Sequence, residues 1–359
     1  MLILVCPSAW VGMFRGNPAR IGGGKACVTK FKPALAIGEA ESMTNLPSVC
    51  ALCGEAKPLM ESHIFPRFVF AWMRRTGSQF LRQSGSPNTR RQDGPKDRLL
   101  CFECEQLFSR REKWFSEQVF IPYLDHSSRA MAYDESLYYF LVSVLWRVLK
   151  RDLSEGDGNH WYQQPVLHAE AEWREYLLHG VAPTTFADIH VFLTDIGSPN
   201  KPQPIVNFNR YMARAVDGTI ASSSNTCFVY AKFSRFLVFG AITPFDQTLF
   251  VNTKVNQSGG TLAIPQELLD GRIGEFLLDR ARTQYQMTVT GMSDRQKQII
   301  AEALGKELPR ILNSDLGRSI LADYGSEIDP LLLWPAVGHQ EACPCGSGQS
   351  FGVCHGAAT

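Results

Sequence analysis

Two pairs of cysteines with the same short spacing constrain this chain more than any other feature. Cys50 and Cys53 are separated by two residues, and so are Cys101 and Cys104. A C-x2-C step lets two thiolates converge on one ion from a tight turn. Two such steps complete the tetrahedral ligand set of a structural Zn²⁺ site with no open position. Four unrelated buried thiols would have no reason to repeat one spacing. The chain has 359 residues and ten cysteines. A chain of this length can bury a sizeable core without disulfides. Clustered thiols therefore read as metal ligands in a reducing compartment, and a cytoplasmic location is expected.

A second cluster stands near the C-terminus: Cys343-Pro-Cys345, eight residues, then Cys354-His355. Three thiolates and an imidazole make another closed Zn²⁺ set. Gly346, Gly348, Gly352 and Gly356 let the backbone wrap a small ion. The segment resembles the SEC-C motif, the zinc knuckle that ends the SecA translocation motor and many unrelated proteins. In that motor the module binds a chaperone, so the resemblance implies a protein partner. Gln349, Ser350, Gly352 and Val353 surround Phe351 where many copies carry lysines. That favours a protein partner over anionic lipid or nucleic acid. A small cap that only orders the tail is the bland alternative.

The 47 residues between the first two cysteine pairs exceed what a minimal finger needs. They open with Glu61-Ser62-His63-Ile64-Phe65-Pro66, and the second pair sits in Leu99-Leu100-Cys101-Phe102-Glu103-Cys104. In order and type these segments resemble the zinc-bearing HNH endonucleases, in which a C-x2-C knuckle precedes an acidic-His-Ile-x-Pro segment and a Leu-Cys-x-x-Cys helix start. They are also similar to an uncharacterised bacterial group with Ser-His-x-x-Pro and Leu-Leu-Cys-x-x-Cys-Glu segments. The resemblance covers roughly residues 48–120, about a fifth of the chain. It implies a treble-clef (ββα-metal-like) finger, a divalent ion beside one histidine, and that histidine as general base on water. By position the base is His63. The family's acidic ligand before the base is Ser62 here, and its histidine after the second knuckle is Glu105. Glu105 is then the best ligand for a catalytic Mg²⁺ or Mn²⁺, as a hard oxygen donor. A structural histidine packed against the zinc lobe is the competing reading of His63.

Charge narrows the partner. Lys+Arg is 36 and Asp+Glu 35, a net +1, which excludes a globally basic nucleic-acid binder but not a local patch. From Arg67 to Arg98 eight basic residues face two acidic ones. Arg67, Arg74, Arg75, Arg90, Arg91, Lys96 and Arg98 are the expected phosphate contacts of this loop, and DNA the expected partner. A solvated, flexible loop is the alternative. No apolar run approaches the ~20 residues that cross a bilayer.

The remaining chain reads as α+β, an antiparallel sheet flanked by helices. Helices are expected at 134–151, with Asp134 as N-cap, at 166–179, stopped by Gly180, at 266–285, after Ser293 and near Ser314. Strands are expected near 189–194, 205–208, 227–233, 236–242 and 249–251. Cys227 reads as a buried small hydrophobe, His190 as a sheet-face residue, and His126 beside Asp125 as a dyad with no nucleophile in sequence reach. Residues 1–42 have no acid before Glu39. A signal or transit peptide fits them less well than a true start at Met43, and they are expected to lack fixed structure. The organisation expected is thus a leader at 1–42, an HNH-like zinc-finger domain at 43–125, an α+β domain at 126–328, a linker at 329–342 and a SEC-C zinc knuckle at 343–359. The preferred function is a metal-dependent endonuclease hydrolysing DNA phosphodiesters, for which bacterial defence against foreign DNA would be a fitting setting. The rival is a non-catalytic zinc-finger module binding nucleic acid or protein, or an adaptor recruiting a partner through the SEC-C knuckle.

Overall fold

A computed structural model describes residues 48–155, 160–196, 205, 207–306, 311, 314–324, 338–342 and 348–354. The leader and most of the expected linker lie outside these residues. The protein is α+β, with small antiparallel sheets and a larger one. The chain opens with β1 (Ser48–Val49) and β2 (Ala56–Lys57), which pair around the first cysteine step. Strand β3 (Leu59–His63) pairs with β6 (Lys96–Cys101). Between them come α1 (Arg67–Arg75) and a hairpin of β4 (Leu81–Gln83) and β5 (Ser86–Arg91). Helix α2 (Phe102–Phe115) leaves β6 directly, runs through a π-helical stretch at Ser116–Phe120 and ends in α3 (Ile121–Leu124).

The central sheet follows β7 (Ala130–Tyr133), α4 (Glu135–Glu155) and α5 (Gln163–His179). It comprises β8 (Ile189–Leu193), β9 (Val216–Ser222), β10 (Cys227–Phe233) and β11 (Phe236–Ala241), in the order β8-β11-β10-β9, all antiparallel. Helix α6 (Phe208–Arg214) leads into β9. Short strands β12 (Phe250–Val251), β13 (Gly260–Ala263) and β14 (Glu267–Leu268) precede α7 (Gly271–Gly291), α8 (Asp294–Lys306) and α9 (Asp315–Tyr324).

Period-2 alternation sets the two faces of that sheet. Ile189, Val191, Val229, Ala231, Phe233, Phe236 and Val238 face α4, whose Leu137, Leu141, Val144, Leu145 and Val148 form an apolar stripe at helical spacing. Phe192, Tyr230, Leu237 and Phe239 face the other way, against Ile273 and Leu277 of α7. The first face is continuous with the cysteine lobe: Leu52, Ile64, Phe65, Phe70, Leu100 and Phe108 belong to the same core. Helices α4 and α5 approach so closely that a Cβ on Gly240 would stand 2.8 Å from Trp173 of α5 and 2.9 Å from Leu145 of α4.

Most expected elements form where the patterning places them. Asp134 caps α4 by accepting from the Ser136 amide at 2.8 Å. Gly180 ends α5 in a left-handed conformation, φ 72°. Three expectations fail. Ile205, Asn207 and Phe208 are not in a strand, because Asn207 takes a left-handed φ of 64° and opens α6; residue 206 lies outside the described residues. The helix expected from 266 starts at Gly271, where Asp270 caps it through the Arg272 amide; Glu267–Leu268 pairs with β12 instead. The basic stretch 67–98 is not a loop. It is helix α1 plus a hairpin, pinned where the Asn88 amide donates to Gly291 O and accepts from the Ser293 amide, both at 2.8 Å.

His190 is the expected sheet-face residue, and it is buried on the second face. Its Nδ1 contacts Thr253 Oγ1 at 2.9 Å, and Nε2 has no partner among the described residues. Burial pushes its pKa down to about 4 from 6.5. The unfolded chain therefore takes up a proton below pH 6.5 that the folded chain refuses until about pH 4. Stability must fall as pH drops through that window, by about 2 kcal/mol at pH 5 from this residue. His190→Phe keeps a ring against Phe245 and Phe250. Denaturant titrations at pH 7 and 5 should show a smaller acid loss in this variant than in the wild type.

Candidate metal centre and its surroundings

The sequence brings four thiols together through two different local devices. In the first, the β1–β2 hairpin closes around Cys50-Ala51-Leu52-Cys53. The Cys50 amide donates to Glu55 O and the Gly54 amide to Cys50 O, each at 2.9 Å. Gly54 sits at φ 75°, which a side chain would resist. In the second, Cys101 ends β6 and caps α2, and Cys104 lies in the first turn of that helix. The two devices are locked in register, since Ala51 donates to Leu99 O at 2.9 Å and Cys101 N to Cys50 Sγ at 3.3 Å.

The four sulfurs lie within 4.8 Å of one another. Cys53 Sγ and Cys101 Sγ are 3.9 Å apart, far beyond a disulfide and close to the ~3.8 Å edge that a tetrahedron of ~2.3 Å Zn–S bonds requires. Cys50, Cys101 and Cys104 are buried and Cys53 half-buried. The thiols pull one another apart in acidity. Burial raises Cys50, but amides of Cys53, Cys101 and Leu52 overcome it and bring its pKa down to about 7. Burial and the neighbouring sulfurs push Cys104 well up. A dication removes that conflict by deprotonating all four. The donor set thus fits zinc.

Beside this centre the structure gives His63 and Glu105 separate partners. Adjacent residues of a strand point to opposite faces. Ser62 is fully buried and its Oγ donates to Glu105 Oε2 at 2.8 Å. His63 is half-buried and its Nε2 stands 2.7 Å from Asp93 Oδ2. Asp93 also accepts from the Gly94 amide at 2.9 Å and pairs with Lys96 at 3.4 Å. Burial works against the Asp93 carboxylate, yet the His63 contact, the Gly94 amide and Lys96 hold its pKa below the usual value. Gly94 is indispensable there, since a Cβ would meet the Phe70 ring at 2.1 Å. From the other side Arg147 of α4, itself buried, donates to His63 O and pairs with Glu112 of α2, both at 2.8 Å. Neither Asp93 nor Arg147 stood out in the sequence. They lie 30 and 84 residues from His63 with no motif linking them.

The basic residues divide. Arg67, Arg75, Arg90, Arg91, Lys96 and Arg98 are exposed and Arg74 half-buried. Arg74 and Arg75 line an open pocket of about 380 Å³ with Ala71, Gln79, Phe80 and Gln92. Arg90 lies over the Phe80 ring at 4.9 Å. Lys96 is drawn to Asp93 and, at 4.0 Å, to Glu61. Arg82 turns inward and donates to Pro87 O at 2.7 Å.

The C-terminal segment is described in part. Ala342 bridges Ser350, Gly348 takes φ 76°, and buried Phe351 opens a short helical turn, Phe351–Cys354. Gly352 packs under His339, whose carbonyl accepts its amide at 2.8 Å. Cys343, Cys345 and His355, and the side chain of Cys354, lie outside the described residues.

Residues 341–357 match the SEC-C motif. The match lends the second ligand cluster the zinc-binding character of that motif. It covers a small part of the chain, and no HNH family model matches. Neither curated proteins nor solved structures gave a match. Among the described residues no helix is long and apolar enough to cross a membrane. Cys227 is buried and its thiol is pushed up to about 12 by burial, which suits an inert core residue. Asp125 does not pair with His126; it accepts from the Ser127 amide.

The four-cysteine cluster and the SEC-C motif together call for two zinc ions per chain. Cys104→Ser and Cys345→Ser should each remove one ion, measured by elemental analysis of purified protein. Only Cys104→Ser should also lower thermal stability sharply, because its site is continuous with the main core.

Proposed function

We propose that residues 48–120 form an HNH-like, metal-dependent endonuclease unit hydrolysing DNA phosphodiesters, with a treble-clef arrangement of knuckle hairpin, β3–β6 pair and helix α2. The observation that carries it is the His63–Asp93 contact of 2.7 Å on the strand pair that leads into the metal centre. A general base needs an imidazole oriented by a second group and reachable from solvent. Asp93 is that orienting group, and its carboxylate stabilises the imidazolium formed when His63 takes a proton from water. Arg147 fixes the backbone of the base, and Gly94 fixes Asp93 against α1.

Glu105 and Ser62 offer a carboxylate and a hydroxyl at one point, on the face of β3 opposite the imidazole. Glu105, half-buried, is the hard oxygen donor that would hold Mg²⁺ or Mn²⁺, and fully buried Ser62 only positions it; an ion there would stand across β3 from the base. The chemistry such an ion supplies is stabilisation of charge on the phosphate and leaving oxygen. Arg67, Arg75, Arg91 and Arg98 hold the nucleic-acid backbone on the exposed side of α1, β5 and β6.

A second reading has its own support. Ser62 and Glu105 already satisfy one another, and Asp93 already has His63 and Lys96. An arrangement so complete also suits a finger that binds DNA or protein without cutting, with the SEC-C segment recruiting a protein partner.

Nicking of supercoiled plasmid with Mg²⁺ or Mn²⁺ separates the two. Zinc-loaded wild type should cut, and His63→Ala should lower the rate by about 10²–10⁴-fold. Asp93→Asn should cut more slowly and shift the pH profile of the rate. No cutting by zinc-loaded wild type, or equal cutting by His63→Ala, would leave the binding module as the reading.

A further inference from the structure

A second charged centre, built from none of these residues, surrounds His126. This residue follows α3 in a left-handed conformation, φ 62°, uncommon for a side chain of its size. Three guanidinium groups reach its ring. Arg129 Nη2 is 3.2 Å from Nδ1, while Arg235 Nη1 and Arg318 Nη1 are each 3.3 Å from Nε2. Arg129 precedes β7, Arg235 stands in the turn between β10 and β11, and Arg318 lies in the first turn of α9. Remote parts of the chain have been drawn to one imidazole.

Two carboxylates share these arginines. Asp195 accepts from Arg129 at 2.9 Å and pairs with Arg235 at 3.1 Å. Asp315 accepts from Arg318 at 2.9 Å, bonds Arg235 closely and faces Arg214 at 3.7 Å. Four arginines thus meet two aspartates, leaving two positive charges in excess around a neutral ring. The inner half is sealed, with the Arg235 side chain 0% and Asp315 2% exposed. The rim is open, with Arg129 46% and Arg318 30% exposed.

The hydrogen-bond arithmetic at the ring does not close. A guanidinium only donates, and a neutral imidazole has one acceptor nitrogen and one N–H. With arginines at both nitrogens, one contact sets N–H against N–H. Protonating the ring would oppose donors at both nitrogens. Burial first, and then Arg235, keep His126 below its ordinary pKa. What the centre lacks is an acceptor. An oxyanion at the rim would take the ring N–H and the outer N–H groups of Arg129 and Arg318 together, and offset the excess charge.

We infer that His126, Arg129 and Arg318 form a binding site for a phosphate-class oxyanion, with Arg235 and Asp315 as the buried frame that holds them and the exposed Asp195 pairing Arg129 at the rim. The ligand chemistry is a tetrahedral phosphate oxygen set, supplied by free phosphate or by a phosphodiester backbone. The inference stands whether or not residues 48–120 cut DNA, because no residue is shared.

The test is the His126 ring resonance of the full zinc-loaded chain, assigned by its loss in His126→Gln. Inorganic phosphate is titrated in, and, separately, a short oligodeoxynucleotide without terminal phosphates, each against chloride at matched ionic strength. Saturable displacement is expected with at least one of them, together with a rise in the His126 pKa, since a bound anion favours the imidazolium. Arg129→Gln and Arg318→Gln should weaken the response by about tenfold or more, the loss of one charge-assisted bond. Arg129 is on the open rim, so its variant should fold. A response to phosphate alone identifies a small anion, and a stronger response to the oligonucleotide identifies a nucleic-acid backbone. A ring signal that neither probe moves beyond the chloride control, or that moves equally in Arg129→Gln, overturns the inference.

Discussion

Four sulfurs held within 4.8 Å are the constraint on which the N-terminal half depends. Without a cation, neighbouring thiolates repel and buried thiols resist ionisation, as the opposite displacements of Cys50 and Cys104 express. With zinc, the same crowding becomes a covalent-strength tie between the β1–β2 hairpin and the β6–α2 junction. That tie sets the β3–β6 register, in which Leu59 stands opposite Cys101 and His63 opposite Lys96. It therefore decides which face of β3 receives Ser62 and which receives His63. A slip of one residue would exchange them.

Helix α4 carries the constraint onward. One side of it packs on the central sheet, and Arg147 reaches from it into the cysteine lobe. A buried guanidinium has to find acceptors, and Arg147 finds Ser143 O, His63 O and the Glu112 carboxylate, with Phe108 beneath it. The strand bearing His63 is thereby fixed to α2 and to the sheet at once. Phe65 completes the contact by lying where a Cβ on Gly218 would be only 2.9 Å from it. The position of the imidazole is set by the whole core and not by the finger alone.

How much of this is legible in the sequence depends on the range of each interaction. The cysteine spacing, helix α4 and its Asp134 cap, the Gly180 stop and strands β10 and β11 are local patterns, and they read directly. The helix start at Gly271 does not, because the β12–β14 pairing that claims Glu267 is a tertiary choice. The folding of 76–95 as a hairpin does not either. Its composition is that of a loop, and it is held by Asn88 gripping the α7–α8 junction more than 200 residues away. Asp93 shows the same limit at the site. In sequence it is a stray counter-charge in a basic stretch. In space the Gly94 contact with Phe70 brings it onto His63. The chain announces which residues carry chemistry better than it announces which residues aim them.

Charge tells a similar story. A net +1 suggests little about partners, yet the arginines fall into two populations. Arg82, Arg147, Arg210, Arg214 and Arg235 are buried. Arg82 is spent on a backbone carbonyl, and the other four each face a carboxylate. Such groups set geometry and add little to the outer field. Arg67, Arg75, Arg91 and Arg98 are exposed and form no ion pair among the described residues. A polyanion approaching α1, β5 and β6 would meet these charges on folded elements instead of a flexible loop, with Glu61 opposite Arg98 and Asp97 beside it reducing the field there. Binding there would carry the steep salt dependence of counterion release. A protein partner that recognised the same surface through shape and apolar contact would show it only weakly.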